Sequence, residues 1–587
     1  MPLMTPAAPE FDVAEWLAKP QPQRVRAMCE TWAMQGFGAP GVAYVFYVVK
    51  LALYVGGFLA FACTTKGFAL SNISSWWDVP IAFEKAVVWT LLFEIFGFGC
   101  ASGPLTGRYI PPITAFTHWL RPGTVRLPPF PALPLTRGTK RSIVDAALFA
   151  AIVVLAVRAL LVSSLFMNRG VVLPIVIVMV VLGLRDKTVF LAARSEHYLL
   201  ATFVFLFPHD LFAGSKAVQL ALWFGAASSK LNHHFPNVIA VMMSNNPLNR
   251  SRKARAMLYR DFPNDMRGSS LAAFVGHAAT VVEYSFPLTL LLTHGGLPTD
   301  IALAVMIGFH SNILFSFPMG VPLEWNVFFM YSGLVLFGEH AHTAAWSIHS
   351  PVLGIALIGC LIVLPVLGNL RPDRISFLPS MRYYAGNWGA SVWLWRPGGF
   401  ESLDGVIPKT SKSVRSQLEG LYDAPAYEVI LGRLQAFRSM HLHGRAINAL
   451  LPRALEGLDD EAVRTKGIDA FDVVDGELVA GLILGWNFGD GHLHHEQLLE
   501  VVQEAKQFAP GQLRCIFLES QPALQPTMHW RIADAATGRV AEGHVRVADL
   551  LDIQPWGDAE GGPVLDVGTV LDVGTVLDVG AGATAAP

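Results

Sequence analysis

The apolar residues of this chain gather into long runs separated by short stretches that are polar, proline-rich or basic. The runs lie near 41–64, 80–100, 143–165, 170–184, 197–214, 216–229, 270–293, 300–318, 325–338 and 351–369. About 20 apolar residues in a helix cross a bilayer core. The pattern therefore predicts about 8–10 spans, with 170–184 and 216–229 the shortest runs. Beyond residue 410 no run reaches that length. Residues 411–460 carry apolar side chains at helical spacing (Leu418, Leu421, Ile430, Leu431, Leu434, Phe437). Residues 465–556 mix strand-like runs, Leu478–Leu484, Leu513–Leu518 and Gly543–Val547, with a helix near 494–507. The fold class that follows is mainly α: a polytopic transmembrane helical bundle followed by a small soluble α+β domain.

The chain divides accordingly into a lead-in (1–40), a membrane domain (41–370), an interfacial linker (371–410), a soluble domain (411–556) and a tail (557–587). The tail repeats Val-Leu-Asp-Val-Gly-Thr from Val564 to Gly580, too few copies for a solenoid, and reads as flexible. The stretch 101–141 carries Pro111, Pro112, Pro122, Pro128, Pro129, Pro131 and Pro134 and is expected to run extended at the interface. The aromatic segment Met381–Trp388 suits the membrane–water boundary.

Basic residues orient the bundle. They cluster between the second and third runs (Arg108 to Arg141), after the fourth (Arg185, Lys187, Arg194), after the sixth (Arg250 to Arg267) and after the tenth (Arg371, Arg374, Arg382). If all ten runs cross, these loops share one side, which the positive-inside rule places in the cytosol with both termini, in a plasma or inner membrane. Asp12, Glu15 and Lys19 without an early apolar core speak against a cleavable signal peptide. Composition agrees with a lipid-covered surface. Charged residues make up 15% of the chain, against about 25% in soluble domains, and mean hydropathy is +0.43. A net charge of −2 gives no basic field for nucleic acid. The five cysteines form no CxxC pair, so neither a disulfide framework nor a cysteine–zinc site is indicated.

The candidate chemistry lies among ionisable residues in or beside the runs: Glu94, Asp145, Arg158, His197, His209, Asp210, Lys230, His277, Glu283 and His310. Inside a bilayer each must face the bundle or a partner. Arg158 reads as mid-span, and a pair with Glu94 would tie two helices. Lys230 ends an apolar helix, where it either snorkels to the interface or acts as a desolvated base. His197 offers a neutral imidazole able to take a proton. No metal is expected. His209, His233, His234, His277 and His310 lack the HxxxH and HxxHH spacings of membrane di-iron enzymes. Gly489-Asp490-Gly491-His492-Leu493-His494-His495 lacks a fourth ligand for zinc and reads as a solvated loop opening a helix at His494.

Four motifs in order carry a family resemblance: Ser195-Glu196-His197-Tyr198, Phe224-Gly225-Ala226-Ala227-Ser228-Ser229-Lys230-Leu231, Val282-Glu283-Tyr284-Ser285-Phe286-Pro287, and Gly308-Phe309-His310-Ser311-Asn312. Over roughly 80–340 they resemble the horizontally transferred transmembrane domain, the membrane core of vitamin K-dependent gamma-carboxylases. The resemblance implies Lys230 as base, His197 as its hydrogen-bond partner, His310 in the pocket, and a quinone as cofactor. Glu283 and Asn312 belong to the same motifs. Phe235-Pro236 departs from the tryptophan-containing loop of that core. At full length the chain resembles a family of uncharacterised transmembrane proteins of mycobacterial type. Three functions remain open at this point. One is a lipid- or quinone-linked membrane enzyme. Another is a lipid or small-molecule transporter with Glu94, Arg158 and Glu283 along one path. The third is a scaffold presenting 411–556 to a cytosolic protein. Membrane lipids are partners in each.

Overall fold

The computed structural model describes residues 3–100, 107–109, 114–316 and 323–557. Among the described residues, five helices are long and apolar enough to cross a membrane: Gly41–Ala62, Ile143–Leu160, Ser270–Leu292, Leu297–Ser316 and Pro351–Leu370. Tyr198–Val204 and Pro208–Ser229 add a sixth candidate as one element bent by 117°. The runs 197–214 and 216–229 are therefore not two straight crossings. The chain breaks after Phe205 and restarts at Pro208, whose ring supplies no amide proton to continue the first helix. Pro80–Ile95 and Arg169–Arg185 are helical but shorter. Every residue of Pro80–Ile95 after the proline is buried, so this helix forms the centre of the bundle rather than its lipid face. It nevertheless carries three charged residues. Glu84 accepts from the Met167 amide (2.9 Å), and Lys85 donates to the Phe61 carbonyl (2.8 Å) and Thr64 (2.7 Å). The third, Glu94, belongs to a cluster described below.

A hairpin, β1 (Tyr259–Asp261) with β2 (Asp265–Gly268), follows the bent helix and the amphipathic helix Phe235–Asn245. The principal sheet comprises β3 (Ala390–Trp395), β4 (Asp472–Asp475), β5 (Leu513–Leu518), β6 (Thr527–Asp534) and β7 (Gly538–Arg546), in the antiparallel order β4-β3-β5-β6-β7. Strand β3 is buried on both faces, and successive residues serve different cores. Val392 and Leu394 join the cluster around Leu442–Leu450, whereas Trp393 and Trp395 join the cluster continuous with the helical bundle. This strand lies upstream of 411, inside the stretch read as an interfacial linker. A fragment starting at 411 would lack the strand that pairs β4 with β5.

Some expectations are corrected. Leu478–Leu484 is part of the helix Gly476–Leu484, not a strand. Asp475 caps its start through the Glu477 amide, Gly485 at φ +93° ends it, and burial on all sides removes any amphipathic signature. The Gly489–His495 stretch is not a solvated loop. His494 is fully buried and bonds Ser391 of β3, and the helix begins at Glu496 with His495 as its cap. Met381–Trp388 lies within the fold rather than at its lipid boundary. Tyr383 packs on Trp325, Tyr384 bonds His441, and Trp388 donates to Glu477. Pro111, Pro112 and the repeated tail lie outside the described residues.

The basic loops converge on the sheet side. Arg141 pairs with Asp186, and Arg185 with Asp145. His118 and Trp119 bond the carbonyls of Ile483 and Leu484, and Met266 bonds Gln554. The lead-in helix Gln21–Gln35 packs on Ala424–Ser439, with Trp32 on Phe437 (5.5 Å) and Arg433 bonding Gln35. Both terminal regions therefore occupy one face of the bundle.

Candidate functional site

Helix Leu211–Ser229 delivers Lys230 as its terminal residue. The lysine is 8% exposed and bonds both carboxylate oxygens of Glu283, itself 3% exposed in the middle of Ser270–Leu292. The ammonium faces the rings of Phe235 (5.6 Å) and Phe309 (5.9 Å). Snorkelling to water is thus corrected: the charge is neutralised inside the protein, where two charges in low dielectric need each other. The close approach of this helix to the Met381 segment depends on Gly225, where a Cβ would fall 2.6 Å from the Met381 Cβ.

His310 lies one helix away. Its Nε2 accepts from the Trp223 indole (3.0 Å), and its Nδ1 meets the Asn326 side-chain oxygen (2.8 Å). An indole only donates, so Nε2 is the acceptor and Nδ1 carries the proton. The imidazole is neutral with both nitrogens engaged. His197 accepts from the Trp325 indole at Nδ1 (3.2 Å) and is not the hydrogen-bond partner of Lys230. Phe329 stacks on both histidines, at 5.1 Å from His310 and 5.3 Å from His197. The lysine pair, the two imidazoles and the aromatic residues between them make one continuous layer.

Two predicted site residues fall elsewhere. Asn312 is exposed on the outer face of Leu297–Ser316, whereas His310, two residues earlier on the same helix, faces inward. Arg158 is exposed in the last turn of Ile143–Leu160 and not mid-span, with no ion-pair partner among the described residues. It does not meet Glu94. Glu94 is buried beside Glu324 and Cys100. One of its oxygens accepts from the Cys100 amide (2.9 Å), the Cys100 thiol reaches Glu324 (3.7 Å), and Lys50 pairs with Glu324 (3.1 Å). The Arg194 guanidinium touches the same sulfur (3.6 Å) and lies 3.8 Å over Trp325. A Cβ at Gly99 would fall 2.0 Å from a Glu94 carboxylate oxygen, so a side chain there would displace that carboxylate. The ligand atoms of Glu94, Cys100 and Glu324 lie within 4.8 Å of one another, a spacing compatible with a cation. The arrangement fits a metal poorly, because Lys50 and Arg194 already supply positive charge to the cluster.

Trp223, Trp325, Asn326 and Phe329 were not anticipated as site residues. The signal available was a Glu-Trp-Asn triplet, Glu324 to Asn326, opening an otherwise apolar run. Of the paired histidines, His233 is exposed beside the lysine, whereas His234 is buried and bonds Gln521 (3.0 Å), because the sheet domain closes over it.

A bundle of apolar helices holding internally neutralised charges defines a helical membrane protein. Residues 1–566 match the family model described as transmembrane protein of unknown function (DUF3556), and the chain belongs to that family. No curated protein and no solved structure matches it. The likeness to the carboxylase core therefore rests on the four motifs alone.

Proposed function

We propose that the protein is a membrane enzyme acting on a lipidic substrate, a quinol-type molecule being the class that suits its aromatic layer, with Lys230 and Glu283 as a proton-transfer pair. The observation that carries this reading is the buried Lys230–Glu283 pair beside a fixed neutral imidazole. With the shared proton on Glu283, the Lys230 amine takes a proton from a substrate hydroxyl, and the resulting ammonium stabilises the oxyanion left behind. His310 and His197 orient the layer as positioning residues. The transporter alternative loses support because Arg158 stands apart from Glu94 and Glu283. Convergence of the basic loops and both terminal regions on the sheet side supports a cytosolic placement of that side.

The test uses the full chain in nanodiscs supplied with a short-chain quinol and dioxygen, which takes the two electrons and two protons given up as the quinol becomes quinone, with quinol loss followed spectrophotometrically. Turnover is expected in the wild type and a loss of about a hundredfold or more in Lys230→Met/Glu283→Leu, which removes both members of the pair. Equal rates in the two proteins, or no turnover in either, would sink the reading.

A further inference from the structure

Directly after Lys230 the chain turns and borders a groove of about 450 Å³ between the bundle and the sheet domain. Its walls come from Ser228, Ser229, residues 231–233, His277 of Ser270–Leu292, Arg382, and the loop 521–524. That loop is stitched to the end of the last membrane helix by the Ala523 amide, which donates to the Asn369 carbonyl (2.6 Å).

Most polar groups in the walls are already engaged. Asn232 accepts from the amides of His234 (2.9 Å) and Phe235 (3.0 Å). The Asn387 side chain donates to the Gln521 carbonyl (3.0 Å) and accepts from the Gln521 amide (2.7 Å). Arg382 differs. Its side chain is 4% exposed, and its Nε and Nη1 have no hydrogen-bond partner. Glu519 and Asp490 act on it only through space. A buried guanidinium with free donors is costly unless something meets it, and each free N–H can bond an anionic oxygen. His233 and His277 are exposed on the rim.

The surroundings of the groove are apolar. On Ser270–Leu292, Phe274 and Val281 sit three residues before and four after His277, so helical spacing puts all three on one face. Phe274 is 70% exposed and Leu524, at the tip of the loop, 93% exposed, and Leu231 projects beside the turn. Such residues belong against lipid.

We propose that this groove binds the phosphate head of an amphiphile, with Arg382 holding the oxyanion and the tail leaving past Leu231, Phe274 and Val281 into the bilayer. The assignment is one of binding and stands whether or not Lys230 performs chemistry.

The experiment titrates the full chain, purified in detergent, with short-chain phosphatidic acid, the matching phosphatidylcholine and inorganic phosphate, reading binding by calorimetry. Phosphatidic acid is expected to bind at least about tenfold more tightly than either control. Arg382→Gln is expected to weaken it by about tenfold or more, the worth of one charge-assisted hydrogen bond. His277→Ala, a substitution at an exposed residue that leaves the fold intact, is expected to weaken it by about threefold, the scale of one exposed polar contact. Unchanged affinity in both variants, or equal binding of phosphatidylcholine, overturns the proposal. Equal binding of inorganic phosphate overturns the amphiphile and leaves a soluble-anion site. Lys230→Met/Glu283→Leu is expected to bind phosphatidic acid as the wild type does, so failure of turnover and failure of binding are separate results.

Discussion

Lys230 and Arg382 flank the same turn of the chain, and both are buried cations, yet the fold treats them in opposite ways. Lys230 is met by a carboxylate bonded through both oxygens, on a helix brought alongside it. Arg382 lines a groove and keeps two buried donors unbonded, while most other polar groups of the groove are engaged. The first pattern is internally complete and survives desolvation. The second is complete only with something from outside. Burial of a cation is therefore compatible with a full internal partner or with none.

The largest test of this contrast is Glu283→Ala. It leaves Lys230 buried without a counter-ion and is expected to cost about 3–5 kcal/mol, read as a large drop in thermal midpoint in detergent. Removing both partners in Lys230→Met/Glu283→Leu is expected to recover most of that loss. A small effect of the single change would mean that water reaches the ammonium.

Buried histidines on the sheet side give the next effect. Burial holds His234 and His441 down to about 4, with unfavourable nearby charges adding to it for His441, and pushes His443 well below its ordinary value. In the unfolded chain they titrate near about 6.5. The folded state keeps them neutral, so their stabilisation is full above about pH 6.5 and falls as the pH drops towards about 4, by roughly 1.4 kcal/mol per pH unit for each histidine. Trp388 packs on His441 (5.1 Å) and His443 (4.2 Å), and the thermal midpoint measured across this pH range reads the effect. A thermal midpoint that stays flat from about pH 7 to about pH 5 would contradict this.

The acidic cluster should be asymmetric. Glu324→Gln takes the ionic partner from Lys50 and is expected to cost about 1–3 kcal/mol. Glu94→Gln keeps an acceptor for the Cys100 amide and relieves two facing carboxylates, so its cost is expected below about 1 kcal/mol. Equal costs in scanning fluorimetry would show that the cluster does not divide its roles this way. Smallest of all is Arg382→Met in lipid-free detergent. It orphans no partner and is expected within about 0.5 kcal/mol of the wild type, or slightly more stable. A large loss would reveal an internal partner and remove the contrast with Lys230.

Much of the helical architecture was legible because lipid-facing helices need long apolar runs, and these are local. The helices Gly41–Ala62, Ser270–Leu292 and Leu297–Ser316 follow their runs closely. The strand Leu513–Leu518 and the helix Glu496–Lys506 were also legible from local pattern. What failed was non-local. Leu478–Leu484 is apolar on all sides, and such a run does not reveal its own period. Ala390–Trp395 looked like linker because its partners lie more than 75 residues away in sequence. Arg158 and Asn312 failed because a helix turns about 100° per residue, so a neighbour in sequence faces elsewhere.

By itself the sequence determined that this is a membrane protein, roughly where its helices lie, and that Lys230, Glu283, His197 and His310 sit where charge or a polar ring needs explanation. Those conclusions depend on hydropathy and spacing, which are properties of a single segment. Only the tertiary structure decided that Lys230 pairs with Glu283 rather than His197, that Glu94 meets Glu324 and Cys100 rather than Arg158, and that Arg382 faces a groove unpaired. Each of those outcomes is a choice of partner across the fold, settled by which helix faces the packing brings within hydrogen-bond reach.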